Sequence, residues 1–285
     1  LDNLILLDRK AYNISDCFKE REEEKIIQDT TKDQALTKED ITNKKKQLER
    51  YIDVTKSQLF FARGCLFVEG ISEELLVSAF CQIQGFQLED YRIELVNIDG
   101  ISFYPFMFLF NSTCTEKKIP KQIAIITDDD RYTKASQKEY NLLKLIENDY
   151  TNLHSLHNAI TTGSPCNRVS NLASVGNRQP NILIKTAKQT FEYDLCLTNT
   201  GTSKSACKEN FLFKYLSQYG SESICHVYDY IDAMPNDDLT DAEREKIALL
   251  AWKCIHSKAE FAQGFSIHII VNIADAKKTF NVADY

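Results

Sequence analysis

Two apolar segments of the chain each run into acidic residues. The first ends at Glu69, with Glu73 about one helical turn later. The second, residues 123–127, ends at Asp128 and Asp130. Apolar, β-branched runs are typical of buried strands, and open α/β folds build their sites at the carboxyl ends of such strands. Clustered carboxylates repel one another without a cation, so the pattern predicts bound Mg²⁺ or Mn²⁺ rather than zinc.

The spacing within each half supports a shared site. Gly70 allows a tight turn between Glu69 and Glu73, which then face the same point. Asp128 and Asp130, two residues apart, project to one side of an extended strand end. The structural alternative is a helix cap, because acidic residues commonly follow strands for that purpose.

Composition excludes several classes of protein. With 285 residues and 43% apolar side chains the chain can bury a core, and a net charge of -7 argues against a polybasic nucleic-acid binder. Nine cysteines without a C-x-x-C spacing indicate neither structural zinc nor a disulfide framework. No run approaches the roughly 18 apolar residues of a spanning helix, so we expect no membrane segment and a reducing, cytoplasmic setting.

The order of predicted elements indicates the fold class. Residues 65–130 alternate strand, helix, strand, helix, strand, with strands predicted over residues 65–68, 92–98 and 122–127 and helices over residues 72–84 and 102–110. Such alternation produces a parallel sheet with helices on its faces.

The flanking segments have a different character. Residues 16–50 are charge-dense and predict solvated helix or linker, whereas Leu4 to Leu7 predicts a buried strand. Beyond Asp130 the pattern is mostly helical, with a strand predicted over Asn181 to Lys185. Segments rich in Gly, Ser, Thr and Asn predict loops over residues 161–180 and 197–207.

The order of the acids separates this chain from other α/β phosphoryl-transfer folds. Haloacid-type phosphatases and response-regulator receivers place aspartates after the first strand. Here a glutamate comes first and an Asp-x-Asp comes two strands later. This order resembles the Toprim domain, the metal-binding module of topoisomerases, primases and certain nucleases.

Three further segments narrow the resemblance. Residues 51–64 before the glutamate strand, Thr190-Phe191-Glu192-Tyr193-Asp194-Leu195, and Lys258-Ala259-Glu260-Phe261-Ala262 are similar to the C-terminal nuclease half of the OLD (overcoming lysogenization defect) family, which includes the nuclease subunit of the Gabija anti-phage system. The resemblance covers about residues 1–270. It implies an α/β fold, a Toprim-like parallel sheet flanked by helices with an additional mainly helical region.

The resemblance also implies a domain division and site residues. Residues 1–62 would be the end of an ATPase core with a charged connector, 63–160 the Toprim core, and 161–285 a helical region with one strand completing the site. The expected ligands of two Mg²⁺ or Mn²⁺ ions are Glu69, Glu73, Asp128, Asp130 and Glu192. Glu69 and Lys258 are the expected catalytic residues, Lys258 stabilising the pentavalent phosphate, although Lys253 lies close enough in sequence to confuse the assignment.

The function so implied is a metal-dependent DNA endonuclease in anti-phage defence. The family forms dimers and carries an ATPase region, but this sequence has no G-x-x-x-x-G-K-[ST] run. One alternative is a non-catalytic module that dimerises and docks DNA for a partner ATPase. Another is primer synthesis with the same acids. DNA preference, dependence on ATP, oligomeric state and biological trigger stay open.

Overall fold

The computed structural model describes residues 1–19, 37–54, 57–100, 102–131, 134–145, 149–176, 179–219 and 224–283. The strands are β1 (Ile5–Asp8), β2 (Lys10–Asn13), β3 (Gly64–Val68), β4 (Ile93–Asn97), β5 (Gln122–Asp128) and β6 (Ile182–Ala187). The helices are α1 (Lys38–Val54), α2 (Ile71–Ile83), α3 (Tyr104–Met107), α4 (Lys134–Leu142), α5 (Leu153–Thr162), α6 (Asn167–Gly176), α7 (Phe191–Asn199), α8 (Lys204–Glu209), α9 (Phe211–Tyr219), α10 (Ile224–Asp232), α11 (Asp241–Lys253), α12 (Lys258–Val271) and α13 (Ile273–Thr279). None of the described helices is both long enough and apolar enough to cross a bilayer.

The chain divides into two compact units. The first unit comprises residues 1–70, 87–127 and 166–186, and the second comprises residues 71–86, 128–165 and 187–285. Each unit is therefore built from segments that are distant in the sequence. The domain boundaries at residues 62/63 and 160/161 come from the resemblance to the family, and they stay a prediction.

A four-stranded sheet forms the centre of the first unit. Its strand order is β4-β3-β5-β6, and β3 runs parallel to both β4 and β5. Gly64, the first residue of β3, lies opposite Gln122, whose carbonyl oxygen would be 3.0 Å from a Cβ at that position. Only glycine therefore fits this close approach without a shift. Strand β3, between β4 and β5, occupies a central position in this sheet, which explains its uniformly apolar character.

Aromatic side chains fill the core of the first unit. Phe67 on β3 lies 5.4 Å from Phe106 and 6.2 Å from Phe110, measured between ring centroids. Tyr51 of α1 contacts Phe106 from the other side at 5.3 Å. Leu48 of α1 is fully buried in the same cluster. Leu48 and Tyr51 lie one turn apart on α1 and therefore dock this helix onto the core of the first unit.

A buried lysine joins the sheet to the segment that precedes β3. Lys121, immediately before β5, is 5% exposed. Its ammonium donates to the carbonyl oxygens of Leu59 at 3.2 Å, Phe60 at 2.6 Å and Ala62 at 2.6 Å. Desolvation lowers the pKa of Lys121. The three carbonyls together satisfy all the donors of the ammonium.

The second unit is helical. Helix α2 packs on α12, and α7 packs on α11. Tyr193 of α7 is fully buried, with its ring centroid 5.9 Å from that of Trp252 on α11. Phe80 of α2 contacts Phe280 at 5.3 Å. Helices that are distant in sequence thus pack together in the second unit. Several of them contact neighbours on more than one side, so their buried faces are hard to predict from the local spacing of apolar residues.

The structure confirms the predicted fold class, an α/β fold with a parallel sheet flanked by helices and an additional helical region. The predicted loop over residues 161–180 is wrong, because α6 occupies Asn167–Gly176 and buries Val169 and Leu172. The predicted loop over residues 197–207 is wrong at both ends, because α7 continues to Asn199 and α8 begins at Lys204. The predicted helix over residues 102–110 is regular only over Tyr104–Met107 and then continues as turns.

Two apolar segments of the first unit have exposed side chains. The strand predicted over Leu4 to Leu7 forms as β1 over Ile5–Asp8, but it is not buried, since Ile5 is 58% and Leu7 79% exposed. Phe61 is 82% exposed, although Phe60 beside it is buried. Of the charge-dense run 16–50, the part over residues 20–36 lies outside the described residues, and the end of the run forms most of α1.

We expect Lys121→Met to lower the free energy of unfolding by about 3 kcal/mol, because three buried carbonyl oxygens lose a charged donor. Urea denaturation followed by circular dichroism measures the change. Lys118→Met is the matched control, since among the described residues Lys118 donates one hydrogen bond, to Gln179, and its loss should cost less than about 1 kcal/mol. Equal losses in the two variants would contradict this account of Lys121.

Candidate active site

In the first unit, Glu69 is held immediately after β3. Its carbonyl oxygen accepts from the backbone N–H of Gly100 at 2.8 Å, which fixes the turn. Its carboxylate Oε1 accepts from the Thr127 hydroxyl and, at 3.2 Å, from the Arg168 guanidinium. Arg168 Nη1 also donates to Thr127 Oγ1 at 2.8 Å. Glu69 therefore stands at the carboxyl edge of the sheet with a cation and a hydroxyl fixing its orientation.

Arg168 is a residue that sequence reasoning missed. It lies on α6, inside the segment predicted to be a loop, and its side chain is only 11% exposed. The single available signal was the helical spacing of Val169 and Leu172 in an otherwise small and polar segment. A buried guanidinium beside Glu69 offsets the charge of this carboxylate within the first unit.

In the second unit, Asp128 is tied to the start of α7. It is 6% exposed, and its Oδ1 accepts from the backbone N–H of Phe191 at 2.8 Å. Thr190 caps the same helix by accepting from the Tyr193 N–H at 3.2 Å. Free N–H groups at a helix start favour a nearby carboxylate. The Thr-Phe-Glu segment thus does two things: it begins a helix and it orients Asp128.

Glu192 and Lys258 form the most unusual contact of the second unit. The Glu192 side chain is 0% exposed, and the Lys258 ammonium lies 2.8 Å from its Oε2. Apart from this ammonium, no donor among the described residues reaches either carboxylate oxygen. The Lys258 side chain itself is 52% exposed. Lys258 therefore connects a buried carboxylate with the solvent.

The surroundings of Lys258 are strongly acidic. Burial by itself lowers the pKa of Lys258, but the Glu192 ion pair and the charges of Asp128 and Glu73 together outweigh it and raise the pKa above its ordinary value. Glu73 is 6% exposed on the first turn of α2. The second unit thus brings three of the predicted ligands, Glu73, Asp128 and Glu192, into the field of one ammonium.

Asp130 differs from the expectation in its backbone. Strand β5 ends at Asp128, and Asp130 adopts a left-handed conformation with φ +48. The alternation of side chains along a strand therefore does not apply to Asp130, which is exposed. Its assignment as a ligand stays a prediction. Asp129 is 2% exposed and accepts from Arg131 Nε at 2.6 Å, so this pair satisfies itself.

The two candidate lysines are separated by their contacts. The Lys253 ammonium donates to the backbone carbonyl oxygen of Tyr140 at 2.9 Å, and it lies 4.0 Å from the centroid of the Tyr140 ring. Lys258 instead contacts Glu192. Of the two, only Lys258 has an ammonium beside predicted ligands.

The donor set has the chemistry that Mg²⁺ and Mn²⁺ require. Carboxylate oxygens suit these hard cations, and the oxygens of Glu192 meet no donor except the Lys258 ammonium within the described chain. Across the described residues, no group of three or more His, Cys, Asp or Glu side chains already has metal-binding geometry. The carboxylate side chains are therefore the right kind of ligand for Mg²⁺ or Mn²⁺. In the second unit, the Lys258 ammonium supplies the positive charge beside them.

Comparisons with known proteins address the central segment. Residues 60–130 match the family model described as the TOPRIM domain of overcoming lysogenization defect protein-like proteins. This segment is an OLD-like Toprim domain. It contains β3, β4 and β5, together with Glu69, Glu73, Asp128 and Asp130. A search of curated proteins gives no match.

Solved structures were compared as well. The chain is similar to the C-terminal region of the Xanthomonas campestris pv. campestris OLD protein, at 18% identity and a TM-score of 0.40, with 78% of this chain and 94% of that chain covered. It is also similar to the C-terminal region of the Burkholderia pseudomallei OLD protein, at 20% identity and a TM-score of 0.37, with 77% and 97% covered.

We expect Lys258→Met to lower the free energy of unfolding by roughly 1–3 kcal/mol in metal-free buffer, because the buried Glu192 carboxylate loses its counter-ion while water partly replaces a half-exposed ammonium. The double variant Lys258→Met/Glu192→Gln should recover most of the loss, since the buried charge is then absent. Thermal and urea unfolding measure both effects.

The matched control is Lys278→Met, which removes an exposed ion pair with Asp275 and should change stability by less than about 0.5 kcal/mol. If the double variant is no more stable than Lys258→Met alone, the two residues are not coupled and this description of the cluster is wrong.

Proposed function

We propose that the chain is the nuclease part of an OLD-family ATPase-nuclease and hydrolyses phosphodiester bonds in DNA with Mg²⁺ or Mn²⁺. The observation that carries the proposal is the fully buried Glu192 carboxylate, which meets a single ammonium in an environment that also contains Asp128 and Glu73. A scaffold gains no stability from such a cluster, because each desolvated carboxylate costs free energy. A metal site does need clustered carboxylates, because their oxygens are the ligands that bind the cation.

The proposed ligands follow the assignment by motif. In the second unit they are Glu73, Asp128 and Glu192, and the same assignment adds Glu69 and Asp130. Two bound ions would activate a water molecule and stabilise the leaving 3′ oxygen. The acids are all hard oxygen donors, as that chemistry requires.

The residues around the acids have supporting roles in this proposal. The Phe191 N–H holds Asp128 in one orientation, so this carboxylate does not need to reorganise. Thr127 and Arg168 do the same for Glu69. Lys258, half exposed and held protonated by its acidic neighbours, supplies a positive charge for the phosphate as negative charge develops in the transition state.

The wider context of the proposal rests on resemblance to the family. It comprises dimers or higher oligomers formed through a longer protein, an ATPase region as partner, a cytoplasmic setting and a role in defence against phage. The residues themselves support the chemistry at the acids rather than any of these properties.

A nicking assay tests the proposed activity. We expect supercoiled plasmid to be nicked in the presence of Mn²⁺ or Mg²⁺, and Glu69→Ala and Asp128→Ala each to reduce the rate at least about 100-fold, since each removes a ligand carboxylate. Asp90→Ala, which removes an exposed acid just before β4, should cut at the parent rate. Gel electrophoresis of timed samples gives the rates.

Circular dichroism spectra and unfolding curves must show that both ligand variants are folded. Parent-like cutting by folded Glu69→Ala and Asp128→Ala would overturn the proposal. A parent chain that neither cuts nor binds divalent metal would instead favour the non-catalytic module.

A further inference from the structure

Cations stand at the end of the sheet that the proposed chemistry does not use. Arg63, Arg92 and Lys121 immediately precede β3, β4 and β5. The backbone N–H of Arg63 donates to the Arg92 carbonyl oxygen at 2.8 Å, so these two residues are neighbours. Because β3 is parallel to β4 and β5, all three cations lie at the amino edge of the sheet. Glu69 and Thr127 lie at the carboxyl edge of the same sheet.

A cleft of about 1130 Å³ opens at this amino edge, entirely within the first unit. The hairpin of β1 and β2 lines the cleft with Arg9 and Lys10, and Arg63 and Arg92 line it as well. Asp8 is the single acid among the described lining residues. In a chain with net charge -7, the cleft is a local concentration of positive charge.

The four cations at the surface of the cleft have no acidic partner within the described part of the chain. Arg9, Lys10, Arg63 and Arg92 are all exposed, and no ion pair joins any of them to a described carboxylate. Lys121 differs, since three carbonyl oxygens occupy its ammonium. The cleft therefore offers four positive side chains to a ligand from solution.

Apolar surface lies among these cations. Phe61 is 82% exposed and lines the cleft two residues before Arg63. Ile5 and Leu7, 58% and 79% exposed, line it from β1. Covering exposed apolar surface removes it from water, so a ligand that covers this ring gains free energy. Its ring is a flat surface on which a planar group can stack.

We propose that this cleft binds single-stranded nucleic acid. Arg63, Arg92, Arg9 and Lys10 contact phosphates, and an unpaired base stacks on Phe61. Single-stranded nucleic acid is bound by a positive groove that follows the backbone and aromatic side chains that take the bases. An acidic protein surface is the competing ligand; it would pair with the cations but offers no unpaired bases to the exposed ring of Phe61, so the effect of Phe61→Ala separates the two.

Within the first unit, the cleft lies at the amino edge of the sheet and Glu69 lies at the carboxyl edge, so the ligand of the cleft does not depend on the proposed hydrolysis. If the chain cuts DNA, the cleft holds a single-stranded segment at the end of the sheet opposite Glu69. The two ideas can fail independently, because binding is measured in EDTA, where metal-dependent cutting is absent.

The test is fluorescence anisotropy of the full chain with a 5′-labelled 20-nucleotide oligodeoxythymidine in EDTA over a series of salt concentrations. We expect the double variant Arg63→Ala/Arg92→Ala to lower the magnitude of the slope of log K against log salt by about 1.4, because two phosphate contacts are lost. Phe61→Ala should weaken binding by about fivefold or more without changing that slope.

The matched control is Lys38→Ala/Lys185→Ala, which removes two exposed lysines of the first unit that do not line the cleft. This control should bind like the parent. Binding of the Arg63/Arg92 double variant with the parent's affinity and slope would overturn the proposal. Equally tight binding of poly-glutamate, unaffected by Phe61→Ala, would also overturn it, because the cleft would then recognise negative charge alone.

Discussion

A carboxylate without solvent exposure is the constraint on which the second unit depends. Glu192 is fully buried, and a charge in that position costs several kcal/mol unless a counter-charge is held beside it. The first residue of α12 supplies that counter-charge. Packing of α12 on α2 therefore brings together Lys258, Glu192 and the environment of Glu73, so the helical core and the acidic cluster form one structure.

The same principle operates in the first unit with different residues. Glu69 ends a central strand, where its carboxylate meets Thr127 from β5 and Arg168 from α6. In each unit, a carboxylate is balanced by a cation from a segment about 65 to 100 residues further along the chain. An acid at the end of a strand can be predicted from the neighbouring sequence. Its counter-ion cannot, because the cation comes close to it only in the complete fold.

That difference explains what the sequence could predict. The strands containing residues 64–68, 93–97 and 122–128 are apolar and β-branched because the sheet is covered, and their pattern therefore survives in the sequence. Lys258 was found because of its family motif rather than from periodicity. Arg168 was not found, since small polar residues surround it and its role arises only when α6 reaches Glu69.

Other misses have equally physical causes. Leu7 and Phe61 are residue types that usually occupy a core, yet both are exposed. Hydrophobicity alone does not distinguish a residue in the core from one on an exposed binding surface. Asp130 follows a strand in sequence, and its positive φ ends the alternation of side chains on which its assignment as a ligand was based, so that assignment stays a prediction. Local patterns thus predicted the elements of the sheet better than they predicted the surroundings of the charges.

Electron paramagnetic resonance shows whether the acidic cluster binds Mn²⁺, because the signal of free Mn²⁺ falls as the ion binds. We expect saturable binding by the parent chain and at least about tenfold weaker binding by Asp128→Asn and Glu192→Gln, both of which keep the size of the side chain while removing its charge. Parent and variants that bind Mn²⁺ equally, or a folded parent that binds none, would contradict this expectation.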